Sequence, residues 1–220
     1  MATSSGALRR ARRTRERDIV AATRALFDDL GMQDARIEKI ARAVGINKAL
    51  IYRHFASKDE LFVATVTLYL DELAERLHDV DRELDHAGRL REGWGRYADF
   101  CLQYPAFLDC ALSLMRRPAS ELREGVPDAI WLRLGQAMGA CIGPLAAILA
   151  DGAEAGVFDV DDPDFVANRL YAQTLGTMHL ARIGAGVVGR ADALPGMFEI
   201  DAERVRDACV ADALAAVGVR

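Results

Sequence analysis

The sequence predicts an all-α protein. Apolar residues recur at intervals of three and four positions along most of the chain, which is the spacing that lines one face of an α-helix. Sustained alternation of apolar and polar residues, the pattern of a half-buried strand, is scarce. Of the 220 residues, 51% are hydrophobic, so the chain has enough apolar material to form a sizeable core.

The amino-terminal part of the chain predicts a flexible basic arm followed by helices. The arm is expected over residues 1–11, and the first helix runs from about Arg12 to Leu30. Gly31 follows, and glycine permits the left-handed conformation that closes helices. A short second helix is expected from about Arg36 to Val44 and ends at Gly45.

Asn47 begins the next short helix. Its side chain can accept a hydrogen bond from the backbone of the first turn, and Leu50, Ile51 and Phe55 supply apolar contacts. Two short helices that are separated by a glycine-containing turn and rest on a preceding helix form a helix-turn-helix arrangement. Residues 12–56 are therefore predicted to form a three-helix module of this kind.

The rest of the chain predicts longer helices. Ser57 with Glu60 forms a capping box, so a long fourth helix is expected from there to about Val80. Five more segments have helical spacing: 88–104, 105–117, 127–154, 162–184 and 201–217. Pro144 predicts a kink or a break in the third of them. The run GAGVVG, residues 184–189, has dinucleotide-binding glycine spacing but follows a helix, which favours a flexible loop.

Charge is distributed unevenly along the sequence. The formal net charge is -5, yet residues 1–60 carry 13 Lys and Arg against 8 Asp and Glu, a net charge of +5. Every lysine of the chain, Lys39, Lys48 and Lys58, lies between residues 39 and 58. A basic end on an otherwise acidic chain indicates a polyanionic partner for the first sixty residues.

The motif IEKIARAVGINKALIYRHFASKDELF, residues 37–62, carries a family resemblance. With its flanks, from about Arg15 to Leu61, it resembles the amino-terminal DNA-binding domain of the TetR family of bacterial transcriptional repressors. The resemblance covers about a quarter of the chain, and the remainder is similar to the family in length and helical character. Where the family usually has a Thr cap and an acidic partner, this chain has Arg36 and Lys39, which leaves Asp34 as the nearest possible cap. Leu50 stands where the family commonly has a small residue.

The resemblance implies a ligand-responsive repressor that binds a palindromic double-stranded DNA operator as a homodimer. Matching positions would face base edges: Asn47, Lys48, Ala49, Leu50 and Arg53. Tyr52, His54 and Lys58 would hold phosphates. Lysine and arginine suit guanine O6 and N7, and Leu50 suits an apolar contact such as a thymine methyl.

Residues 57–220 are expected to form a larger helical domain for effector binding and dimerisation. Aromatic and apolar residues are the candidates for a pocket that takes a small, mostly apolar effector: Phe62, Val66, Tyr69, Trp94, Tyr97, Trp131, Met138, Tyr171 and Met178. Each of them is also a candidate for an ordinary core residue. The dimer interface is expected in segments 162–184 and 201–217, whose small residues permit close helix packing.

An all-helical enzyme with a basic amino-terminal module is the alternative. The sequence contains no Gly-x-Ser-x-Gly, no His-Glu-x-x-His and no phosphate-binding loop, so no catalytic residue is predicted. No cofactor and no metal site are predicted, and the cysteines are expected to be buried free thiols: Cys101, Cys110, Cys141 and Cys209. Because no uninterrupted apolar run approaches the length of a membrane span, we expect a cytoplasmic protein without a membrane partner.

Overall fold

The computed structural model describes residues 2–189 and 196–219. The described residues form ten α-helices and one two-stranded sheet. The helices are α1 (Ala2–Leu30), α2 (Ile37–Val44), α3 (Lys48–His54), α4 (Lys58–His78), α5 (His86–Gln103), α6 (Pro105–Met115), α7 (Ala119–Glu124), α8 (Asp128–Glu154), α9 (Pro163–Ile183) and α10 (Ala202–Ala216). The strands are β1 (Ala185–Val188) and β2 (Gly196–Glu199). The predicted fold class, a helical protein with an amino-terminal helix-turn-helix, is confirmed.

The chain divides into two compact units. The first comprises residues 1–70 and 113–137, and the second comprises 71–112 and 138–220. Each unit is thus built from two separate stretches of chain. This division differs from the predicted boundary at residue 56, because residues 113–137 pack with the amino-terminal helices. The predicted division of functions at that boundary stays a prediction.

The first unit has its apolar core beneath the three amino-terminal helices. The buried members are Ile19, Ile37, Ile40, Ala41, Ile51, Phe55 and Leu61. They come from α1, α2, α3, the residue after α3 and the first turn of α4. Each short helix therefore buries one apolar face against α1, since an isolated helix of this length is not stable in water.

The second unit has a larger aromatic core. Its fully buried side chains include Trp94, Tyr97 and Phe100 of α5 and Phe107 of α6. The rings of Phe100 and Phe107 meet edge to face with centroids 5.0 Å apart, a favourable arrangement of two aromatic rings. Gly93 permits close packing on this helix, because a Cβ at that position would lie 2.9 Å from Leu145 Cδ2.

Helix α1 begins at Ala2, so the expectation of a flexible arm over residues 1–11 and a helix start at Arg12 differs from the structure. Arginine and alanine are good helix formers, and this run contains both in number. Arg12 also pairs with Glu16 one turn later, at 2.8 Å from Nε to Oε1. Charge repulsion among the arginines was expected to keep this segment disordered. The helix propensity of its residues favours a helix instead.

Residues after α9 form a hairpin where a flexible loop was predicted. Strands β1 and β2 are antiparallel, with Ala185 opposite Glu199 and Val188 opposite Gly196. The prediction was wrong because only four residues of each strand pair, too few to produce an alternating pattern. The intervening residues 190–195 lie outside the described part of the chain. Helix α7 was not predicted either.

Helix α8 continues through Pro144 without a break. Proline removes one backbone donor, and the hydrogen bonds on both sides maintain a helix of 27 residues. By length and composition α8 is apolar enough to cross a membrane. No such run was predicted from the sequence, because Gly143, Pro144 and Asp151 interrupt the apolar residues. A core helix of a soluble protein meets the same criterion, and α8 buries Cys141, Leu145 and Leu149 among other side chains.

Candidate DNA-binding surface and ligand cavities

A tight turn joins α2 to α3. Gly45 has φ 71°, in the left-handed region that favours glycine, and ends α2. The backbone N–H of Ile46 donates to Ala41 O at 2.9 Å, which satisfies a carbonyl at the end of α2. This turn allows α2 and α3 to pack on the same core. The predicted role of Gly45 is confirmed.

The start of α3 is capped as predicted. Asn47 Oδ1 accepts a hydrogen bond from Leu50 N–H at 2.8 Å. Ile51 is buried beneath the helix, which turns the opposite side to solvent. By contrast α2 has Arg36 at its N-cap without a side-chain hydrogen bond, so Asp34 does not cap it with its carboxylate. The Arg36 N–H donates instead to the Asp34 backbone carbonyl at 2.9 Å.

The exposed side chains of α3 and its cap form what we call the α3 surface: Asn47, Lys48, Ala49, Tyr52 and Arg53. Two further predicted DNA contacts, Leu50 and His54, are half-buried beside it, and Lys58 is exposed at the start of α4. Every predicted DNA-contact residue thus lies on or next to one exposed helix. Their contacts with DNA stay predictions.

Two of these residues have acidic neighbours that sequence reasoning missed. Lys48 Nζ lies 2.7 Å from Glu38 Oε1 on α2, and His54 Nδ1 lies 3.5 Å from Glu16 Oε1 on α1. The hydrogen bond from Lys48 lowers the pKa of the Glu38 carboxyl, and the same bond raises the pKa of Lys48. The spacing of Glu38 and Lys48 is ten residues, so no helical periodicity signals the pair.

Other exposed cations lie around the α3 surface. Lys39, Arg42 and Arg53 are exposed, and none has a side-chain partner among the residues that the structure describes. Lys58 adds a further exposed positive charge at the start of α4. Such a cluster attracts a polyanion, and its strength falls as salt screens the charges.

The first turn of α4 is held in place by three sets of hydrogen bonds within the first unit. Ser57 Oγ accepts from Glu60 N–H at 3.0 Å, which confirms the predicted cap, and Glu60 Oε2 accepts from Ala56 N–H, one residue before the cap, at 2.5 Å. Ser57 Oγ also donates to Gly125 O at 3.0 Å. A bidentate pair joins Arg117 to Asp59, at 2.9 and 3.1 Å. The sequence does not reveal this attachment, because the partners are 58 and 68 residues apart.

The predicted ligand-binding residues are divided between the two units. In the first unit Val66 and Tyr69 are buried, and Tyr69 Oη donates to Asp28 Oδ1 at 2.6 Å. Phe62 lines a cavity of about 510 Å³ beside α2, and Trp131 lines a separate cavity beside α7. Their role in ligand binding stays a prediction.

In the second unit the predicted residues are mainly core. Trp94 Nε1 donates to Thr174 Oγ1 at 3.2 Å, and Tyr97 stacks on Tyr171 with ring centroids 5.3 Å apart. Met178 is buried, whereas Met138 is 38% exposed. Trp94, Tyr97 and Tyr171 therefore have the contacts of a packed interior, with hydrogen bonds for buried polar groups.

The cysteines are free and buried, which confirms that prediction. Burial raises the pKa of the Cys141 thiol to about 12 and that of the Cys209 thiol to about 11. The reactive thiolate is therefore scarce at neutral pH. A nucleophilic role for these two cysteines is not supported by their surroundings.

A second cavity of about 510 Å³ lies within the second unit, and we call it the Arg89 cavity. Its walls come from the end of α4, the loop after it, the first turn of α5 and the second half of α8: Leu77, His78, Val80, Arg82, Arg89, Gly143, Pro144, Ala147, Ile148 and Asp151. None of these residues was predicted from the sequence, which indicated mainly aromatic side chains for a pocket. This cavity has aliphatic walls with two arginines instead.

The turn, the cap and the exposed α3 surface define the chain as a helix-turn-helix protein. Comparisons with known proteins agree. Residues 19–65 match the family model of bacterial regulatory proteins, tetR family. The match shows that these residues are similar to the amino-terminal domain of TetR-family regulators.

Curated relatives match over part of the chain. The HTH-type transcriptional activator FasR of Mycolicibacterium smegmatis is 31% identical over 87 residues, which are 39% of this chain and 40% of FasR. The HTH-type transcriptional regulator BetI 2 of Chromohalobacter salexigens is 33% identical over 85 residues, 36% of this chain and 41% of BetI 2. The chain thus spans about two fifths of the length of these relatives.

Similarity to a solved structure extends over nearly the whole chain. RolR in complex with resorcinol aligns with a TM-score of 0.67, covering 96% of this chain and 91% of RolR. The sequence identity in that alignment is 15%, so the likeness shows the fold alone.

Proposed function

We propose that the protein is a cytoplasmic transcriptional repressor that binds a palindromic DNA operator as a homodimer and releases it when a small, mostly apolar effector binds. The observation that carries the proposal is the α3 surface. It presents polar, cationic and apolar side chains on one exposed helix whose opposite side is anchored in the core. A helix of this kind is suited to the major groove, which displays the donors and acceptors of each base pair.

The surrounding charges support DNA as the polyanion. Exposed cations lie on α2, on α3 and at the start of α4, and the backbone N–H groups at helix starts are natural phosphate partners. In the proposed complex Lys48, Arg53 and neighbouring α3 residues read base edges, while Tyr52, His54 and Lys58 hold phosphates. When the protein binds DNA, the Lys48 ammonium leaves the Glu38 carboxylate and contacts the DNA instead.

Two helices of the second unit support a homodimer. Phe165, Leu180 and Ile183 of α9 are 64%, 43% and 57% exposed, and Gly176 is exposed on the same stretch. On α10 the small residues Ala208, Ala211 and Ala215 are exposed at helical spacing. A two-fold axis would place such an apolar surface against its own copy. Ala167 is one of the small residues in the segment 162–184 expected at the interface, but it is fully buried within the protomer and cannot take part.

Effector control is proposed to act through α4. This helix of 21 residues begins at Lys58, a proposed DNA contact, and ends at His78, which lines the Arg89 cavity. A ligand that displaces the end of α4 changes the position of Lys58 and α3, and linkage then requires operator DNA to weaken ligand binding by the same factor. RolR, a structural neighbour, was solved with resorcinol bound, which supports ligand binding in this fold.

The test begins with selection of duplexes from a randomised pool. The expected product is an inverted repeat with half-sites about 34 to 36 Å apart or somewhat more. Repression is tested by placing that sequence over a reporter promoter, since FasR shows that relatives include an activator. Failure to enrich any duplex over the starting pool would contradict the proposal, and increased reporter expression would contradict repression alone.

A further inference from the structure

The Arg89 cavity combines aliphatic walls with an excess of positive charge. Leu77, Val80, Pro144, Ala147 and Ile148 supply the apolar part of its lining. The lining also contains two arginines, Arg82 and Arg89, and one carboxylate, Asp151. His78 adds a polar ring at the end of α4.

Arg89 is incompletely paired in this cavity. Its Nη1 donates to Asp151 Oδ2 at 3.0 Å, while its Nε is buried with no hydrogen-bond partner. The Arg89 side chain is only 20% exposed, whereas Asp151 is 51% exposed. A buried donor without an acceptor carries the desolvation penalty of that group, and a ligand oxygen can relieve it.

Arg82 is the second arginine of the cavity. It is exposed in the loop between α4 and α5, and it has no side-chain partner in the part of the chain that the structure describes. Guanidinium groups bind carboxylates and phosphates through paired N–H donors. The charge on Asp151 offsets only one of the two arginines.

We propose that the Arg89 cavity binds a small amphipathic anion, a carboxylate or phosphate head on a short aliphatic chain. The head is bound by Arg89 and Arg82, and the chain packs against Leu77, Val80 and Ile148. This assigns a chemical class and a location to the effector, and it rests on the proposed function only for its consequence on DNA. The aromatic residues that sequence reasoning selected take no part in it.

The first experiment measures binding to the full chain without DNA by isothermal titration calorimetry. Octanoate is the anionic ligand, octanamide is its neutral counterpart, and inorganic phosphate tests the head alone. Octanoate should bind at least about tenfold more tightly than octanamide, because one charge-assisted hydrogen bond contributes that much or more. From butanoate to octanoate the affinity should rise by up to about fourfold for each methylene buried.

Variants locate the site. Arg89→Gln should remove the preference of octanoate over octanamide, and Arg82→Gln should reduce it. Asp151→Asn should strengthen octanoate binding, since it removes the competing carboxylate while retaining the side-chain size. Arg91→Gln is the matched control, because Arg91 is an exposed arginine of the same helix that does not line the cavity. Circular dichroism and thermal melting of each free variant establish that it is folded.

The outcomes distinguish a failure of the proposed binding site from a failure of the proposed repressor function. Equal binding of octanoate and octanamide, binding of neither, or unchanged binding in both Arg82→Gln and Asp151→Asn would overturn the proposed site. Octanoate that binds as expected but leaves operator affinity unchanged would support the site and contradict its role as the effector site. Absence of any operator, with normal octanoate binding, would contradict the repressor and leave the site supported.

Discussion

The pair between Glu38 and Lys48 leads to a prediction that distinguishes free protein from DNA complex. In the structure the Lys48 ammonium is 2.7 Å from the Glu38 carboxylate, so its charge is partly neutralised before DNA arrives. Glu38→Gln keeps the size of the side chain and removes its charge. Lys48 is then available for DNA, and a carboxylate that would repel phosphates is absent.

The magnitude follows from removing one negative charge beside the interface. The logarithm of the binding constant on duplex DNA changes with the logarithm of the salt concentration by about -0.9 for each phosphate neutralised, so loss of the Glu38 charge steepens this slope by up to about 0.9. At about 0.1 M salt the same term raises affinity by up to about eightfold. The gain should appear on operator and on random duplexes alike, because it depends on charge and not on base sequence.

Fluorescence anisotropy with a labelled operator and a labelled random duplex, at several salt concentrations, measures both quantities. Glu83→Gln is the control, since Glu83 is an exposed acid in the loop before α5. The thermal midpoint of Glu38→Gln should stay near that of the wild type, because the pair is exposed to solvent. Weaker operator binding with an unchanged salt slope would refute the reasoning and show that Glu38 orients Lys48 in the complex.

Four other substitutions test the remaining proposals. Lys58→Ala should weaken binding to all duplexes and flatten the salt dependence, whereas Lys48→Ala should also relax preference at one base by roughly 5- to 150-fold; equal losses on every duplex would argue against base reading by Lys48. Gly176→Arg should produce a monomer by sedimentation while Gly139→Arg stays dimeric, because a Cβ meets nothing within 4 Å at either position; a Gly176→Arg dimer would place the interface elsewhere. Ser57→Ala should lower the free energy of unfolding by about 1 to 3 kcal/mol in urea titrations, through loss of a helix cap and of the bond to Gly125; an unchanged stability would mean that water replaces both bonds.

Local signals in the sequence predicted the helix-turn-helix well. Asn47 caps α3, Gly45 closes α2 and the capping box begins α4, each within a few residues of its hydrogen-bond partner. These features depend on backbone geometry and on side chains that reach only one helical turn. They could be predicted from the sequence because the residues that form each of these hydrogen bonds are only a few positions apart.

Features that join distant parts of the chain were not predictable in the same way. Glu38 with Lys48, Arg117 with Asp59 and Ser57 with Gly125 connect separate elements, and no spacing in the sequence indicates them. The sequence does not distinguish Arg89 from the other arginines of the chain. Only the structure shows that its Nε is buried without a hydrogen-bond partner. The aromatic residues chosen for a pocket proved to be divided between the two units, with Trp94 and Tyr97 in a packed core.

By itself the sequence determined the helical class, the helix-turn-helix, its exposed face and the basic charge around it, because periodicity, capping and composition act locally. The tertiary structure decided which side chains share a cavity and which charges are paired. It also decided where the chain divides into units, since residues 113–137 pack with an amino-terminal unit far from them in sequence. The physical reason is that a cavity is the space left where helices cross, and the crossing of helices depends on all of their contacting side chains together.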